Sequence, residues 1–244
     1  MADADAHARR ASAGSGTRGV LLDVDGTLIL SNDAHAETWA AALREAGRDV
    51  SVARVRTLVG MGGDNLLPAL GVDPEGDEGK HVAQRKKALF RARLGELRPA
   101  PGARALVERL RGEGRTLVVA TSADDEELRG LLRQAGVDDL VHRHTTASDV
   151  ERSKPAPDVV AAAATRSELP RASLVMLGDT PYDVTAARAA GVAVVALRCG
   201  GWDDAALAGA AAVYDDPAHL LRELDRSPLA AAPAATEPPA ARAP

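Results

Sequence analysis

Val20-Leu21-Leu22-Asp23-Val24-Asp25-Gly26-Thr27-Leu28 is the stretch from which the rest of the chain is read. Gly19 to Leu22 is a short apolar run, the pattern of a buried strand. It ends in two carboxylates, Asp23 and Asp25, and residues two apart in an extended segment point the same way. Both are expected to face the end of the strand together, with Gly26 letting the chain turn sharply behind them. Adjacent carboxylates repel unless a cation or a shared proton relieves them. The pattern therefore suits a divalent metal combined with nucleophilic or acid/base chemistry. An acidic loop capping a strand is the plainer reading of the same residues.

The whole chain has 244 residues, 45% hydrophobic and 27% charged, enough for one or two globular domains. The net charge of −5 supplies no basic field for nucleic acid or an anionic membrane. One cysteine, Cys199, rules out an internal disulfide framework and suits a reducing compartment. No apolar run reaches membrane-spanning length, and the N-terminus has no apolar signal core. The expectation is a soluble cytoplasmic protein; oligomeric state is not legible. Residues 1–17 and the Ala/Pro-rich 226–244 read as disordered tails. Gly14-Ser-Gly16-Thr-Arg-Gly19 matches a dinucleotide fingerprint but leads into a strand instead of following one, so it is rejected.

Past the acidic strand, Ile29 to Asn32 reads as a connection, with Ser31, Asn32 or Asp33 capping a helix that Gly47 ends. Ala36, Trp39, Ala40 and Leu43 give that helix an apolar face. Helices are expected over 52–59, 64–70 and 80–97, so 33–98 forms a small all-helical unit closed by Pro99-Ala-Pro101-Gly102. From there helix and strand alternate. Strands are expected at 116–120, 141–146, 174–177, 192–197 and 212–214; helices are expected at 103–113, 124–135, 155–166, 183–190 and 217–224. That alternation means an α/β fold, a doubly wound parallel sheet, built from 18–32 and 99–225. Such sheets bind ligands at the carboxyl ends of their strands.

Four groups fall at or just beyond separate strand ends: Asp23 with Asp25, Thr121 with Ser122, Lys154, and Asp179 with Asp183. Hydroxyls and backbone N–H groups at Thr121-Ser122, beside a helix start, favour an anion. Lys154 adds a positive charge at another helix start, and the aspartates form an acidic cluster able to hold Mg²⁺. Taken singly, a Lys before Pro is usually solvated and Gly-Asp is usually a turn.

These motifs, DVDGTL (23–28), Thr121 after a strand, Lys154 in KPAPD, and GDTPYD (178–183), resemble the haloacid dehalogenase superfamily of phosphohydrolases from residue 18 to about 225. The resemblance implies a Rossmann-like core and a catalytic set of Asp23, Asp25, Thr121 and Lys154. Asp23 becomes the nucleophile that forms an aspartyl-phosphate, and Asp25 the acid and then the base. Thr121 holds the phosphoryl oxygens and Lys154 neutralises them. Mg²⁺ would sit on Asp23, the backbone carbonyl of Asp25, and Asp179, with Asp183 a metal ligand or just behind one. Asp25 argues against dehalogenase chemistry, and the helical insert resembles the C1 cap. The nearest likeness is to phosphoglycolate-phosphatase-like enzymes, acting on a small phosphorylated metabolite. A sugar-phosphate mutase and a non-catalytic receiver-like phospho-signalling module are the competing readings; a receiver domain would place its phosphorylated Asp after a later strand and carry no helical insert.

The cap is where substrate choice is expected. Gly62 and Gly63, within Gly60 to Asn65, are candidate substrate contacts, against a plain helix–helix turn. Arg85, Lys86 and Lys87 read as a solvated helix face. His142 and His144 lack a third zinc ligand and read as structural, and Cys199 as an ordinary small residue.

Overall fold

The computed structural model describes residues 16–230. Most of the two terminal segments expected to be disordered, and Gly14 and Ser15 of the rejected fingerprint, lie outside the described residues.

Eight strands and nine helices carry the fold among these residues. The chain enters through β1 (Gly19–Leu22) and the two-residue β2 (Ile29–Leu30). Four helices follow: α1 (Asn32–Glu45), α2 (Val52–Arg56), α3 (Gly63–Ala69) and α4 (Asp77–Arg93). After β3 (Arg98–Pro99) come α5 (Ala103–Gly112), β4 (Thr116–Ala120), α6 (Asp125–Ala135), β5 (Arg143–Thr145) and α7 (Asp158–Ser167). The chain closes with β6 (Leu174–Gly178), α8 (Pro181–Ala189), β7 (Ala193–Leu197), β8 (Ala212–Tyr214) and α9 (Pro217–Arg222).

Six strands form one parallel sheet in the order β5-β4-β1-β6-β7-β8. β1 lies between β4 and β6, with Leu22 opposite Val119 on one side and Leu177 on the other. The chain builds outward from β1 on one side and then returns to the other, so the order reverses beside β1. A crevice opens at such a reversal, at the carboxyl ends of the strands.

Side chains on successive strand residues point to opposite faces, and each face has its own core. Val20, Leu22, Val119, Leu177 and Val195 pack with α5, α6 and α9. Leu21, Val118, Met176 and Val194 pack with α7 and α8. This is the doubly wound α/β fold expected from the alternation. The helices between β2 and β3 keep a third, separate core around Trp39, Leu43, Leu66 and Val82.

Several boundaries differ from the sequence reading. Ile29–Leu30 pairs antiparallel with Arg98–Pro99, so both crossings to the helical unit lie side by side in a short ladder. The helix expected over 52–59 stops at Arg56. The helix expected at Lys80 begins at Asp77, because Asp77 and Glu78 complement the helix dipole in its first turn. The helix expected at Pro155 starts at Asp158 instead, leaving Lys154 on a loop. Pro155 and Pro157 each push the preceding residue away from helical geometry.

The expected C-terminal tail starts too early by a few residues. Leu229 is fully buried in the main core, and Thr17 N–H donates to the Ala230 carbonyl at 3.2 Å. The Ala/Pro bias of the segment hides one leucine that has a socket. No helix among the described residues is long and apolar enough to cross a membrane.

The buried leucine sets a test. Leu229→Ala should destabilise the protein by about 2–4 kcal/mol, the usual cost of a leucine truncated in a core. Urea denaturation checks it, and an unchanged midpoint would return residues 227–230 to the tail.

Candidate active site

β1 ends at Leu22, and Asp23 continues toward β6 with its N–H on the Leu177 carbonyl at 2.9 Å. Gly26 then takes a left-handed φ of 76°, packed so tightly that a Cβ there would strike Asn32 and Asp179. The turn brings Thr27 back, its hydroxyl 3.2 Å from both Asp23 Oδ2 and Asp179 Oδ1. Asp179 follows β6 directly and is fully buried. Asn32, at the start of α1, donates to Asp179 Oδ2 at 2.7 Å and to the Gly200 carbonyl at 3.0 Å.

Thr180-Pro-Tyr-Asp183 closes α8 with a capping box. Asp183 Oδ2 accepts from the Thr180 hydroxyl at 2.7 Å and from the N–H groups of Asp179 and Thr180 at 3.2 and 3.0 Å. Its other oxygen lies 2.8 Å from Lys154 Nζ. Lys154 is 2% exposed and also pairs with Asp23 Oδ1 at 2.5 Å. Asp23 and Asp183 thus share one ammonium, and Asp179 joins them in one cluster, an oxygen of each within 4.8 Å of the others.

One ammonium does not balance three buried carboxylates. Burial raises the pKa of Asp23 to about 7; Lys154 pulls it down, while Asp183 and Asp25 push it up. Burial, with Asp183 and Asp23 nearby, holds Asp179 well above the ordinary carboxylate range. The donor set is all oxygen, buried and short of positive charge, which fits a hard divalent cation. Asp23 Oδ2 and Asp179 Oδ1 are the freer oxygens for it, since they have only the Thr27 hydroxyl between them, whereas Asp183 Oδ2 accepts three hydrogen bonds and Oδ1 meets Lys154.

Asp25 is not part of that cluster. The strand has ended, so alternation no longer aligns the two carboxylates. Both line one cavity, yet Asp25 Oδ1 turns to Ser31 Oγ at 2.5 Å and His35 Nε2 at 2.9 Å. Burial raises the Asp25 pKa, but His35 and Ser31 outweigh it and the net shift is downward. This explains why Ser31, though at the N-cap of α1, makes no side-chain cap bond.

Thr121 follows β4 and is 1% exposed; its hydroxyl accepts from Ala123 N–H at 3.1 Å. Ser122 Oγ is buried, lines the cavity and has no partner. An orphaned hydroxyl beside Lys154 is a ready contact for an anionic oxygen. The other wall comes from the helical unit. Gly62 and Gly63 line the cavity with Trp39, Met61 and Leu66. A Cβ at Gly62 would strike Ser153, the residue before Lys154. Asn65 Nδ2 donates to the carbonyls of Ser153 and Lys154 at 3.3 Å each, and Asp64 accepts from Ser153 N–H at 3.0 Å. The glycine turn is therefore docked on the Lys154 loop, beyond a plain helix–helix turn.

One expectation fails outright. Lys86 does not lie on a solvated face: it is 8% exposed and lines the cavity, 3.4 Å from each oxygen of Glu127. Its neighbours Arg85 and Lys87 do pair at the surface, with Glu45 and Asp124. The middle residue of a basic run on α4 points inward because the helix turns about 100° per residue. His35 and Glu127 were not singled out by the sequence reading, and Asn32 only as a candidate helix cap. Ser31, His35 and Thr38, spaced i, i+4, i+7 beside the apolar face of α1, were the available signal. Of the other candidates, His142 and His144 are exposed and far from any such cluster, with His144 3.5 Å from Asp125. Cys199 Sγ lies 3.2 Å from the Gly26 carbonyl, and burial raises its thiol to about 12.

With this geometry in view, residues 17–191 match the haloacid dehalogenase-like hydrolase family. The chain belongs to that family. It is 32% identical to a phosphoglycolate phosphatase of Rhodospirillum rubrum, over 91% of this chain and 99% of that one. A fructose-1-phosphate phosphatase of Escherichia coli is 26% identical over 74% of this chain and 96% of its own. A hydrolase from Pseudomonas syringae superposes with a TM-score of 0.81 at 29% identity, covering 86% of this chain and 99% of that one. The protein is a phosphomonoester hydrolase of the phosphoglycolate-phosphatase-like kind, which sets aside the receiver-like reading.

The charge imbalance gives a measurable linkage. Folded Asp23 keeps its proton up to about pH 7, against an ordinary value of 3.8. Without a cation, its contribution to stability is therefore full below 3.8 and is lost as pH rises through about 7. A divalent cation that takes the proton's place should raise Tm more at pH 8 than at pH 6, by about 2–4 °C per proton displaced. Thermal melts in EDTA and in excess Mg²⁺ at both pH values check this. Equal shifts would mean that the carboxylates do not exchange protons for metal.

Proposed function

We propose that the protein is a Mg²⁺-dependent phosphatase of small phosphate monoesters, phosphoglycolate-like or sugar-phosphate-like, working through an aspartyl-phosphate on Asp23. The observation that carries this reading is the buried Asp23–Lys154 pair facing Asp179 and the orphaned Ser122 hydroxyl. Asp23, the Asp25 backbone carbonyl and Asp179 would hold Mg²⁺, with Asp183 behind them, and the ion would neutralise charge on the phosphoryl group.

The chain's own residues perform the rest. Thr121 and Ser122 hold phosphoryl oxygens while Lys154 keeps Asp23 oriented and balances the arriving charge. An Asp23 oxygen attacks phosphorus, and the bond to the leaving oxygen breaks. Asp25, oriented by its contacts with His35 and Ser31, gives that oxygen a proton. Asp25 then takes a proton from water as the water oxygen attacks phosphorus. The bond to Asp23 breaks, and inorganic phosphate leaves.

The helical unit, residues 33–98, acts as a cap that excludes water and selects the substrate, hinging at the β2–β3 ladder. Surface contacts hold it closed: Tyr182 donates to the Thr57 carbonyl at 2.5 Å, and Lys87 pairs with Asp124 at 2.5 Å. Exposed pairs of this kind are worth little each, so opening costs chiefly the buried cap-to-core pairs of His35 with Asp25 and Lys86 with Glu127. The single, half-buried Cys199 and the small phosphorylated substrate fit a cytoplasmic enzyme.

The two aspartates separate under test. Asp23→Asn removes the nucleophile and should cost at least ~10³-fold in turnover, or about 4 kcal/mol of barrier. Asp25→Asn leaves the nucleophile in place. p-Nitrophenolate hardly needs an acid to leave, so a burst near one equivalent per enzyme should precede very slow turnover. Rapid-mixing absorbance with Mg²⁺, and mass spectrometry for a phosphoryl adduct on Asp23, decide the matter. A burst from Asp23→Asn, full activity in EDTA, or isomerised sugar phosphate without free phosphate would each sink the corresponding part of the proposal.

A further inference from the structure

Lys86 and Glu127 line the same cavity as Asp23 and Lys154. They come from opposite parts of the molecule, Lys86 from α4 and Glu127 from the first turn of α6. The Lys86 ammonium lies 3.4 Å from each Glu127 oxygen, 4.7 Å from the Phe90 ring centre and 5.7 Å from that of Trp39. Both side chains are largely buried, at 8% and 6% exposure. His35, stacked on Phe90 at 3.9 Å, is committed to Asp25 and lies 3.9 Å from Glu127 Oε1.

Each lysine that lines the cavity is therefore already paired with a carboxylate. Lys154 is spent on Asp23 and Asp183, and Lys86 on Glu127. Among the described residues no arginine lines the cavity. A leaving group carrying its own carboxylate would place a second negative charge beside Glu127, with no unpaired cation to receive it. In a water-poor site that arrangement is strongly unfavourable. A hydroxyl group fits both partners. An ammonium has three N–H donors, and a carboxylate has lone pairs beyond those one lysine uses. One alcohol oxygen can accept from Lys86 while its proton goes to Glu127. The carbon chain between such hydroxyls would rest on Trp39, Met61 and Leu66.

We propose that Lys86 and Glu127 form a charge-balanced specificity pair that selects phosphate monoesters with a neutral, hydroxylated carbon part, sugar or polyol monophosphates, over those bearing a carboxylate. This rests on the phosphatase reading above and narrows its substrate class. Buried groups set to read a hydroxyl discriminate strongly against ligands that leave them unpaired or add like charge.

The test compares kcat/KM for a hexose or glycerol monophosphate with that for 2-phosphoglycolate, using the full-length enzyme and Mg²⁺. The ratio within one preparation cancels any loss of folded protein. The unaltered enzyme should favour the hydroxylated substrate by at least about tenfold. Glu127→Gln keeps the shape but frees the charge of Lys86, so the ratio should move toward phosphoglycolate by about tenfold or more. Lys86→Met leaves Glu127 unpaired, and the ratio should move the other way. A purely structural pair would lower both substrates together and leave the ratio within about threefold, which overturns the proposal. A preference of the unaltered enzyme for phosphoglycolate overturns it as well, whatever the variants do. If the unaltered enzyme releases no phosphate from p-nitrophenyl phosphate, the phosphatase reading itself is what fails.

Discussion

Three buried carboxylates in one cluster, with a single ammonium paired to two of them, are an unstable arrangement by themselves. Asp23, Asp179 and Asp183 are each at most 5% exposed, and Lys154 is 2% exposed. Desolvation penalises every one of these charges, and mutual repulsion adds to the penalty for the acids. Nothing in the sheet requires such residues, since a strand end can be capped with neutral groups. The surroundings look built to tolerate the cluster. Thr27 bridges Asp23 and Asp179, Asn32 donates to Asp179, and the capping box absorbs one oxygen of Asp183. These neutral donors spread the charge without cancelling it, which leaves the cluster short of one cation.

The fold places that cluster where two crossings can close over it. β1 is central in the sheet, so its carboxyl end has strand ends on both sides, one supplying Thr121 and the other Asp179. The helical unit leaves the core after β2 and returns at β3, and the two crossings share one short ladder. A unit attached at one edge can swing about that edge while its own core around Trp39 and Leu43 stays intact. When docked, its glycine turn rests on the loop of Lys154, so contact with the cap and position of the lysine are linked through Ser153.

The legible parts of the sequence were those with local causes. The spans of β1, β4 and β8 follow directly from short apolar runs between polar or glycine stops. Asp23, Thr121 and Asp179 were readable because parallel sheets put chemistry just past their strands. Partnerships across the cap were hidden. Lys86 sits in an Arg-Lys-Lys run whose outer members are indeed solvated, and only the fold shows that the middle one meets Glu127, 41 residues away. Glu127 reads as one of three acids favouring a helix start, and that reading is also true of it. Leu229 was masked by the alanines and prolines around it.

Two aspartates separated by a single valine end up with opposite tendencies. Asp23 is buried beside other acids, and its pKa rises to about 7 despite the lysine in contact with it. Asp25 turns toward the cap, where His35 and Ser31 hold it below the ordinary range. The backbone alone would have made them equivalent. What separates them is that the strand stops at Leu22, and the Gly26 turn then delivers Ser31 and α1 to one carboxylate only. In the proposed reaction one group must bond to phosphorus while the other moves protons. Without a cation these tendencies run against the roles: Asp23 must be ionised to attack, which a bound divalent cation would favour, and Asp25 must take up a proton before it can give one. Because His35 belongs to the cap helix, opening the cap would remove the partner that distinguishes Asp25 from Asp23. In the proposed mechanism, proton transfer by Asp25 is thereby tied to closure, since His35 meets this carboxylate only while α1 is docked.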